Sequence, residues 1–402
     1  MKLHWQILLA LVLGVISGIL FPGITPFVSW MGDLFMNALS MLIVPIIFFS
    51  IVNSISGVQD FGAGLKRLGI KTMAYYLLTM LIAALTGLAL VNLIEPGGNV
   101  QVGSVAATPD NLGQSSLLNI LVGFIPKNIF YAFTQNNTIP LILIAFLTGL
   151  NLPKLSPDGK NILNGFIKGG LELTLRITKI VILFSPLGIF AIVVKQFGTT
   201  PDFLKLIQTM LLYVLTVTAG LVLHTFVWLP LILRFGYHVN PWRHLKNMST
   251  PMLTAFSTAS SSATLPLTLY AVEHRDGISS KITNFTIPLG SAINMDGAAL
   301  LECVAVIFIA QAYGIELSIV QQILIVFTSL LCAIGAAGIP MAALVMMAMI
   351  LNVVNLPLEG IGLVIGVDRI LDMMRTTVNV YGDTCVAVMV AKSEGEKLPI
   401  DN

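Results

Sequence analysis

The residues best suited to chemistry lie near the carboxyl end of the chain, in the stretch DRILDMMRTTVNVYGD (368–383). Five polar side chains recur there at offsets of 0, 4, 7, 11 and 15 residues, namely Asp368, Asp372, Arg375, Asn379 and Asp383. At about 100° per residue, these offsets place all five on one face of a helix. Apolar sequences precede and follow the stretch. The pattern therefore predicts a helix that buries a charged face, and buried charges require partners.

Arg375 and Asp372 are spaced so that either of two pairings is available to the arginine. The guanidinium matches a carboxylate through two parallel hydrogen bonds, which suits an anionic substrate group. The alternative is an internal salt bridge with Asp372 or Asp368. The two pairings can alternate, if Arg375 pairs with an aspartate before substrate binds and with the substrate carboxylate afterwards. Asp372 is then released to accept from an ammonium, which predicts a site for an amino acid with an acidic side chain.

A second polar cluster interrupts the apolar helix predicted around NMDG (294–297). Asn294 and Asp296 supply oxygen atoms, and hard cations such as sodium prefer oxygen ligands. Glu302 follows six residues after Asp296 with no cationic partner nearby in sequence, so desolvation favours its neutral form and suits it to carry a proton. Burial of a carboxylate within an apolar span costs free energy, so its presence there indicates function. Hydrogen bonds that only pack helices together are the alternative.

The composition of the chain indicates a polytopic membrane protein. Of 402 residues, 56% are hydrophobic and 10% are charged, and the mean hydropathy is +0.91. Soluble domains carry about 25% charged residues. A net charge of +2 without a long basic or acidic tail argues against nucleic-acid binding. The three cysteines lie in apolar context without a CxxC pair, so neither a disulfide framework nor a metal cluster is predicted.

Apolar stretches near 20 residues, the length that crosses a bilayer, predict the spans of the first half of the chain. They cover residues 5–21, 34–54, 73–94, 116–152, 177–197 and 207–235. The first is interpreted as an uncleaved helix that also directs insertion. Basic clusters between spans favour the cytoplasmic side, and the nearly uncharged segment 95–114 suits an external loop.

Two later segments are too interrupted to cross as single helices. In TAFSTASSSATLPLTLYAV (254–272) polar residues occupy the middle, which predicts a re-entrant hairpin with serines at its tip. In residues 317–355 two apolar runs meet at AIGAAGIPMAAL. Non-helical backbone at membrane depth is tolerated only where it is buried in protein or lines a cavity. Because each segment is followed by a helix with amides and carboxylates, we expect an internal repeat of inverted topology.

The serine run 257–262 allows two interpretations. As a hydrolase nucleophile it needs a nearby base, but no GxSxG motif is present and the five histidines are expected mostly at interfacial or loop positions. As a hairpin tip it offers hydroxyls and unpaired backbone amides to an anion. The membrane context favours the second reading.

Four ordered motifs resemble the dicarboxylate/amino acid:cation symporter family, the glutamate and aspartate transporters. They are SSSATLP (260–266), NMDG (294–297), AAGIP (336–340) and DMMRTTVNVYGD (372–383). The resemblance covers nearly the whole chain and implies an all-α protein of the cell membrane with cytoplasmic termini, eight transmembrane helices and two re-entrant hairpins, assembled as a homotrimer. It implies a scaffold (1–70 and 115–203), a transport domain that moves like an elevator (71–114 and 204–395) and a tail (396–402).

The resemblance also implies roles for individual residues. Arg375 would bind the substrate side-chain carboxylate and Asp372 its amino group, and further substrate contacts would come from Ser261, Ser262, Thr376 and Asn379, with a gate at Gly338, Ile339 and Pro340. Coupling sodium ions would be held at three places: by Asp383 with Gly290, Asn294 and Asn379; by Tyr76, Thr79, Asn294 and Asp296; and by Met295 with Ala333, Ile334 and Ala336. Glu302 matches the proton-carrying glutamate of proton-coupled members.

Departures from the family pattern concern the substrate pocket and one cation site. Ala298 stands where the family usually has a threonine that holds the substrate side-chain carboxylate, a hydrogen bond worth about 1.5–3 kcal/mol. Met80 replaces a hydroxyl that would ligate sodium beside Thr79, and Met341 and Ala343 replace gate-loop glycines. We therefore expect a symporter of glutamate or aspartate coupled to sodium, protons or both. A neutral or sulfur-containing amino acid, a C4-dicarboxylate and, more remotely, an ion channel remain as alternatives.

Overall fold

The computed structural model describes residues 3–59, 63–98, 125–134, 138–199, 203–335 and 342–401. Over these ranges the regular secondary structure is helical, apart from an isolated antiparallel bridge between Val239 and Asp401. The predicted all-α class is therefore confirmed for the part of the chain described.

The helices of the first half include one sharply bent pair. They are α1 (Leu3–Leu20), α2 (Thr25–Gln59), α3 (Ala63–Ile94), α4 (Ile129–Thr134), α5 (Thr138–Asn151), α6 (Pro157–Leu183) and α7 (Ser185–Thr199). The span predicted over 177–197 is not one continuous helix, because α6 and α7 meet within it at an angle of 54°. The described part of the 116–152 stretch likewise forms two helices, α4 and α5, rather than one span.

The helices of the second half carry the polar motifs. They are α8 (Phe203–Leu223), α9 (Pro241–Asn247), α10 (Ser249–Thr258), α11 (Ser261–His274), α12 (Ser280–Ile293), α13 (Asp296–Ala312), α14 (Ile319–Gly335), α15 (Ala342–Val353) and α16 (Ile361–Ser393). After α8 the chain continues through two π-type turns, His224–Trp228 and Ile232–Gly236, separated by the helical turn Leu229–Leu231. Such π turns often occur at functional positions.

Four described helical segments are long and apolar enough to cross a membrane. They are Pro22–Ser56, Arg67–Ile94, Leu204–Gly236 and Ser280–Ala312, and a fifth results if the bent pair α6 and α7 counts as one span. The multi-pass membrane character predicted from composition therefore has a direct counterpart in the helices.

The first predicted hairpin is observed as two helices, α10 and α11, joined by a two-residue turn. Ala259 has a left-handed backbone (φ 48°, ψ 42°), which reverses the chain direction after α10. Ser260 then begins α11 as its N-cap, because its side chain accepts a hydrogen bond from the Ala263 amide at 3.2 Å. The serine run thus lies at the tip, and both arms of the hairpin pack against α16.

The second predicted hairpin is described only in its arms. Helices α14 and α15 pack against each other and against α13. The residues between them, which include Ala336, Gly338, Ile339, Pro340 and Met341, lie outside the described ranges. The predicted gate therefore stays a prediction.

Helix α13 forms the centre of the molecule, since every residue from Asp296 to Ala310 is buried. Helices α3, α8, α14, α15 and α16 surround it. Lipid tails are as apolar as the core, so such packing depends on close contact between helices. Gly87 of α3 provides it, because a Cβ there would lie 2.9 Å from the carbonyl oxygen of Leu300. A separate group of helices, α1, α2, α5, α6 and α7, packs together and touches the central group at a few places, chiefly through α2 and α7.

Candidate substrate and cation site

The site is built around a break between α12 and α13. Asn294 (φ −88°, ψ 104°) and Met295 (φ −128°, ψ 62°) leave the helical conformation, so the last carbonyls of α12 and the first amides of α13 lack their usual partners. Asn379 of α16 satisfies one of these amides, accepting from the Gly297 N–H through Oδ1 at 2.8 Å. The break therefore joins α13 to the polar face of α16.

Two buried carboxylates face this break. Asn294 donates through Nδ2 to Oδ1 of Asp383 at 3.0 Å, and Thr79 of α3 lies 3.4 Å from the side-chain oxygen of Asn294. Asp383 also lies against Gly290, where a Cβ would be 2.5 Å from its Oδ1. Asp296 lies against Gly382, where a Cβ would be 2.3 Å from its Oδ2. Two such carboxylates in one buried region require compensating positive charge.

Helix α3 completes this region with the side chains that the family resemblance named. The hydroxyl of Tyr76 donates to the carbonyl oxygen of Thr286 at 2.7 Å, and the same hydroxyl would lie 2.5 Å from a Cβ at Gly290. Met80 lies where the family resemblance expected a hydroxyl, and its sulfur accepts from the Met295 amide at 3.5 Å. The thioether of Met80 thus stands in place of a ligating oxygen, and it contacts the backbone of the break directly.

The predicted substrate pair is observed in its internal form. Nε and Nη2 of Arg375 lie 2.9 and 2.8 Å from the same carboxylate oxygen of Asp372, Oδ1. Arg375 is only 8% exposed. Asp372 also lies within 3.5 Å of the Thr376 hydroxyl and within 3.4 Å of Nη1 of Arg369. The first turn of α13 packs directly on this pair, since a Cβ at Gly297 would lie 2.7 Å from the carbonyl oxygen of Arg375.

Sequence comparisons agree with this geometry. Residues 3–393 match the Sodium:dicarboxylate symporter family. The chain belongs to this family. It is 33% identical over 408 residues to a "Proton/sodium-glutamate symport protein" of Geobacillus stearothermophilus, covering 98% of this chain and 95% of that protein. It is 32% identical to the "Proton/glutamate-aspartate symporter" of Escherichia coli K12 (98% and 93% covered) and 31% identical to human "Excitatory amino acid transporter 3" (100% and 88% covered). The protein is therefore a cation-coupled transporter rather than an enzyme.

One residue that contacts this region of the symporter was not predicted from the sequence. His224, expected at an interface or in a loop, is fully buried, and its Nε2 lies 3.2 Å from Oδ2 of Asp296. Within the described ranges, Oδ1 of Asp296 has no hydrogen-bond partner, which leaves it available to a further ligand. The signal was present in the sequence LVLHTFVWLPL, where a single histidine interrupts an otherwise apolar span.

Glu302 lies deep in the symporter, on α13. It is 1% exposed, and neither carboxylate oxygen has a hydrogen-bond partner among the described residues. The structure thus shows a carboxyl group isolated from partners, and its predicted proton role stays a prediction.

The remaining predicted residues lie on three helices, α13, α14 and α11. Ala298 is 3% exposed in the first turn of α13, next to Gly297. Ala333 and Ile334 lie buried near the end of α14. Ser261 and Ser262 begin α11 and are half-buried and exposed, respectively. Among the described residues, no three His, Cys, Asp or Glu side chains cluster as a transition-metal centre would require.

Proposed function

We propose that this symporter imports an acidic amino acid, glutamate or aspartate, and couples its movement to sodium, protons or both. One observation carries the proposal: a buried arginine, Arg375, whose Nε and Nη2 share one oxygen of Asp372. A buried charge that has only an internal partner suits exchange, because a substrate carboxylate can replace that partner at little cost. Asp372, once released, accepts from the substrate ammonium.

The coupling cations of the proposal bind at the break between α12 and α13. Asp383 and Asp296 supply charge, and Asn294, Thr79 and the freed carbonyls supply neutral oxygens. Asn379 links the two functions, because its side chain holds the Gly297 amide of the break from the same face of α16 that carries Arg375. Sodium bound at the break would therefore support the helix turn that packs against Arg375.

Glu302 carries the proton in this scheme. Its unpartnered oxygens lie on the same helix as Asp296, six residues further along. We propose that the group is protonated when the loaded protein crosses the membrane and releases the proton on the other side.

Transport itself would occur by an elevator movement of the helices around α13 against the separate group of α1, α2, α5, α6 and α7. The packing of helices into two groups supports this proposal, because few elements join one group to the other. The family resemblance adds a homotrimer, with both termini in the cytoplasm.

A second candidate, a neutral or sulfur-containing amino acid, is favoured by one specific observation. Ala298 offers no hydroxyl to a substrate side chain, and it lies next to Gly297, which packs on Arg375. A C4-dicarboxylate is less favoured, since Asp372 has no ammonium to bind in such a substrate. A channel would conduct ions without accumulating a solute.

Uptake into proteoliposomes tests the proposal. Labelled aspartate and glutamate should accumulate only under an inward sodium or proton gradient. Accumulation that persists after both gradients are collapsed would contradict coupling. Competition by glutamate, aspartate, serine, cysteine and succinate against bound aspartate then identifies the substrate class, and stronger competition by serine or cysteine would favour the neutral alternative.

A further inference from the structure

A second buried polar cluster lies outside the substrate and cation site. It joins the short helix α9, the connection between α11 and α12, and helix α16. Its members, all fully buried, are His244, Asp276, Thr384 and Cys385. Nδ1 of His244 lies 2.6 Å from Oδ2 of Asp276, and Nε2 lies 3.1 Å from the hydroxyl oxygen of Thr384.

The hydrogen-bond donors and acceptors of this cluster indicate how many protons it holds. The hydroxyl of Thr384 has one proton, which it donates to the carbonyl oxygen of Tyr381 at 2.7 Å. While that bond is made, its oxygen can only accept from His244, and Nε2 then carries a proton. A second proton must lie between Nδ1 and the Asp276 carboxylate, because two bare acceptors would repel each other at 2.6 Å.

In this arrangement the pair of His244 and Asp276 is neutral overall, whichever partner holds the shared proton. A solvated histidine and aspartate at pH 7 carry one proton fewer between them. Asn247 supports the arrangement, since its Nδ2 donates to the other oxygen of Asp276 at 2.8 Å. The competing arrangement leaves Nε2 bare and directs the thiol of Cys385 toward it, across 3.6 Å.

Few other ionisable groups face this pair from the described elements. From α16 they are Cys385 and Tyr381, whose ring centre lies 5.4 Å from that of His244. Asp383 directly precedes Thr384 in the same helix. Arg275 turns toward α9 and α10, donating to the Asn247 carbonyl at 2.9 Å, while Arg243 and Lys246 of α9 are exposed.

We propose that His244 and Asp276 form a proton-binding site of the symporter, and that this site is coupled to the cation site at Asp383. The second part rests on the proposed function. When the pair loses its proton it becomes negatively charged, and it contacts Thr384, the residue that follows Asp383 in α16. The added charge attracts a cation to Asp383, and by reciprocity a bound cation promotes loss of the proton. Sodium affinity should therefore rise with pH, by about fivefold where the coupling is at the lower end of the usual range.

Nitrogen NMR of the ring tests the proton site directly. The protein carries five histidines, so histidine labelled with ¹⁵N gives few signals in proteoliposomes. At pH 7 the signal of His244 should show a protonated Nε2. It is assigned by its loss in the double variant His244→Phe with Asp276→Leu, which removes both partners and leaves no unpaired buried charge. If that variant does not fold, Cys385→Ala assigns the signal by its shift. A bare Nε2 would overturn the proposal.

Calorimetry of sodium binding tests the coupling. Glu302→Gln first removes the other proposed proton carrier, and buffers with different ionisation heats report the protons released per sodium. Proton release should persist in Glu302→Gln. It should also persist in a control that combines Glu302→Gln with His274→Gln, since His274 is exposed. It should vanish when Glu302→Gln is combined with the double variant of His244 and Asp276. No release in Glu302→Gln, or unchanged release without the pair, would overturn the coupling. Absence of sodium binding in the unaltered protein would instead contradict the proposed function, and the NMR result would still decide the proton site.

Discussion

Arg375 makes both of its short contacts to one oxygen of Asp372, so a substrate carboxylate must compete with a partner already in place. This arrangement keeps the empty site free of an unpaired buried charge. It also separates Arg375 from Arg369, which touches the other oxygen of Asp372 but is 57% exposed. The two arginines therefore differ in burial while sharing a partner.

Replacing Arg375 with glutamine should weaken binding of an acidic substrate by about 10- to 100-fold, because a hydrogen bond to a charged group contributes about 1.5–3 kcal/mol. Competition against labelled aspartate in detergent measures the change. Arg369→Gln is the matched control, and its exposed contact should contribute less than a factor of about five. Equal losses in both variants would argue that Arg375 acts only through Asp372.

Ala298 is buried next to Gly297, which packs on Arg375, so it belongs to the proposed substrate pocket. Ala298→Thr should raise the preference for aspartate over serine by about tenfold, since it adds one hydroxyl near the expected carboxylate. Ala298→Val is the control, because valine has nearly the volume of threonine without the hydroxyl. The ratio of the two dissociation constants is the readout. A gain in both variants would mean that filling space, rather than hydrogen bonding, limits affinity.

At the scale of elements, the break between α12 and α13 depends on two glycines, one in α12 itself and one in α16. Gly382 of α16 and Gly290 of α12 leave room for the carboxylates of Asp296 and Asp383, respectively. The carboxylates are thus positioned by backbone contact as well as by hydrogen bonds. A side chain at either glycine must move a carboxylate, which would link helix packing to the proposed cation binding.

Gly382→Ala should therefore weaken sodium binding by at least about tenfold, because its Cβ would lie 2.3 Å from Oδ2 of Asp296. Calorimetry of sodium binding without substrate measures the effect. Gly165→Ala on α6 is the control, since no atom lies within 4 Å of its added Cβ. Unchanged sodium affinity in Gly382→Ala would show that Asp296 is not a cation ligand.

At the scale of the whole molecule, one contact joins the two groups of helices near the amino terminus. A Cβ at Gly366 of α16 would lie 2.8 Å from a methyl of Leu11 in α1. Within the separate group, a Cβ at Gly14 of α1 would lie 3.0 Å from the Cβ of Val193 in α7. The pair of Leu11 and Gly366 can therefore be used to link the two groups, and the pair of Gly14 and Val193 to link two helices of the same group.

An elevator movement predicts different effects for the two links. A disulfide between Leu11→Cys and Gly366→Cys should abolish uptake while leaving substrate binding intact, because it ties the moving helices to the stationary ones. A disulfide between Gly14→Cys and Val193→Cys should leave both intact. The native cysteines, Cys303, Cys332 and Cys385, are buried and should not react. Uptake that survives the first link would contradict an elevator movement between these groups.

The sequence by itself determined the membrane class, the family and most of the candidate site residues. Hydropathy indicates burial in lipid, and the offsets of Asp372, Arg375, Asn379 and Asp383 place them on one helical face whatever surrounds that helix. The serine hairpin was also predictable, because polar residues within an apolar segment exclude a straight span. These features depend on local composition and periodicity, which require no knowledge of distant contacts.

Only the tertiary structure decided which groups are partners. Residues far apart in sequence meet in the pairs of His224 with Asp296 and of His244 with Asp276, so neither pair follows from periodicity. The bend between α6 and α7, by contrast, has a local cause, because Pro186 at the start of α7 cannot continue the hydrogen bonding of α6. The internal pairing of Arg375 with Asp372 also required three-dimensional geometry, because the sequence allows Asp372, Asp368 or a substrate carboxylate as its partner.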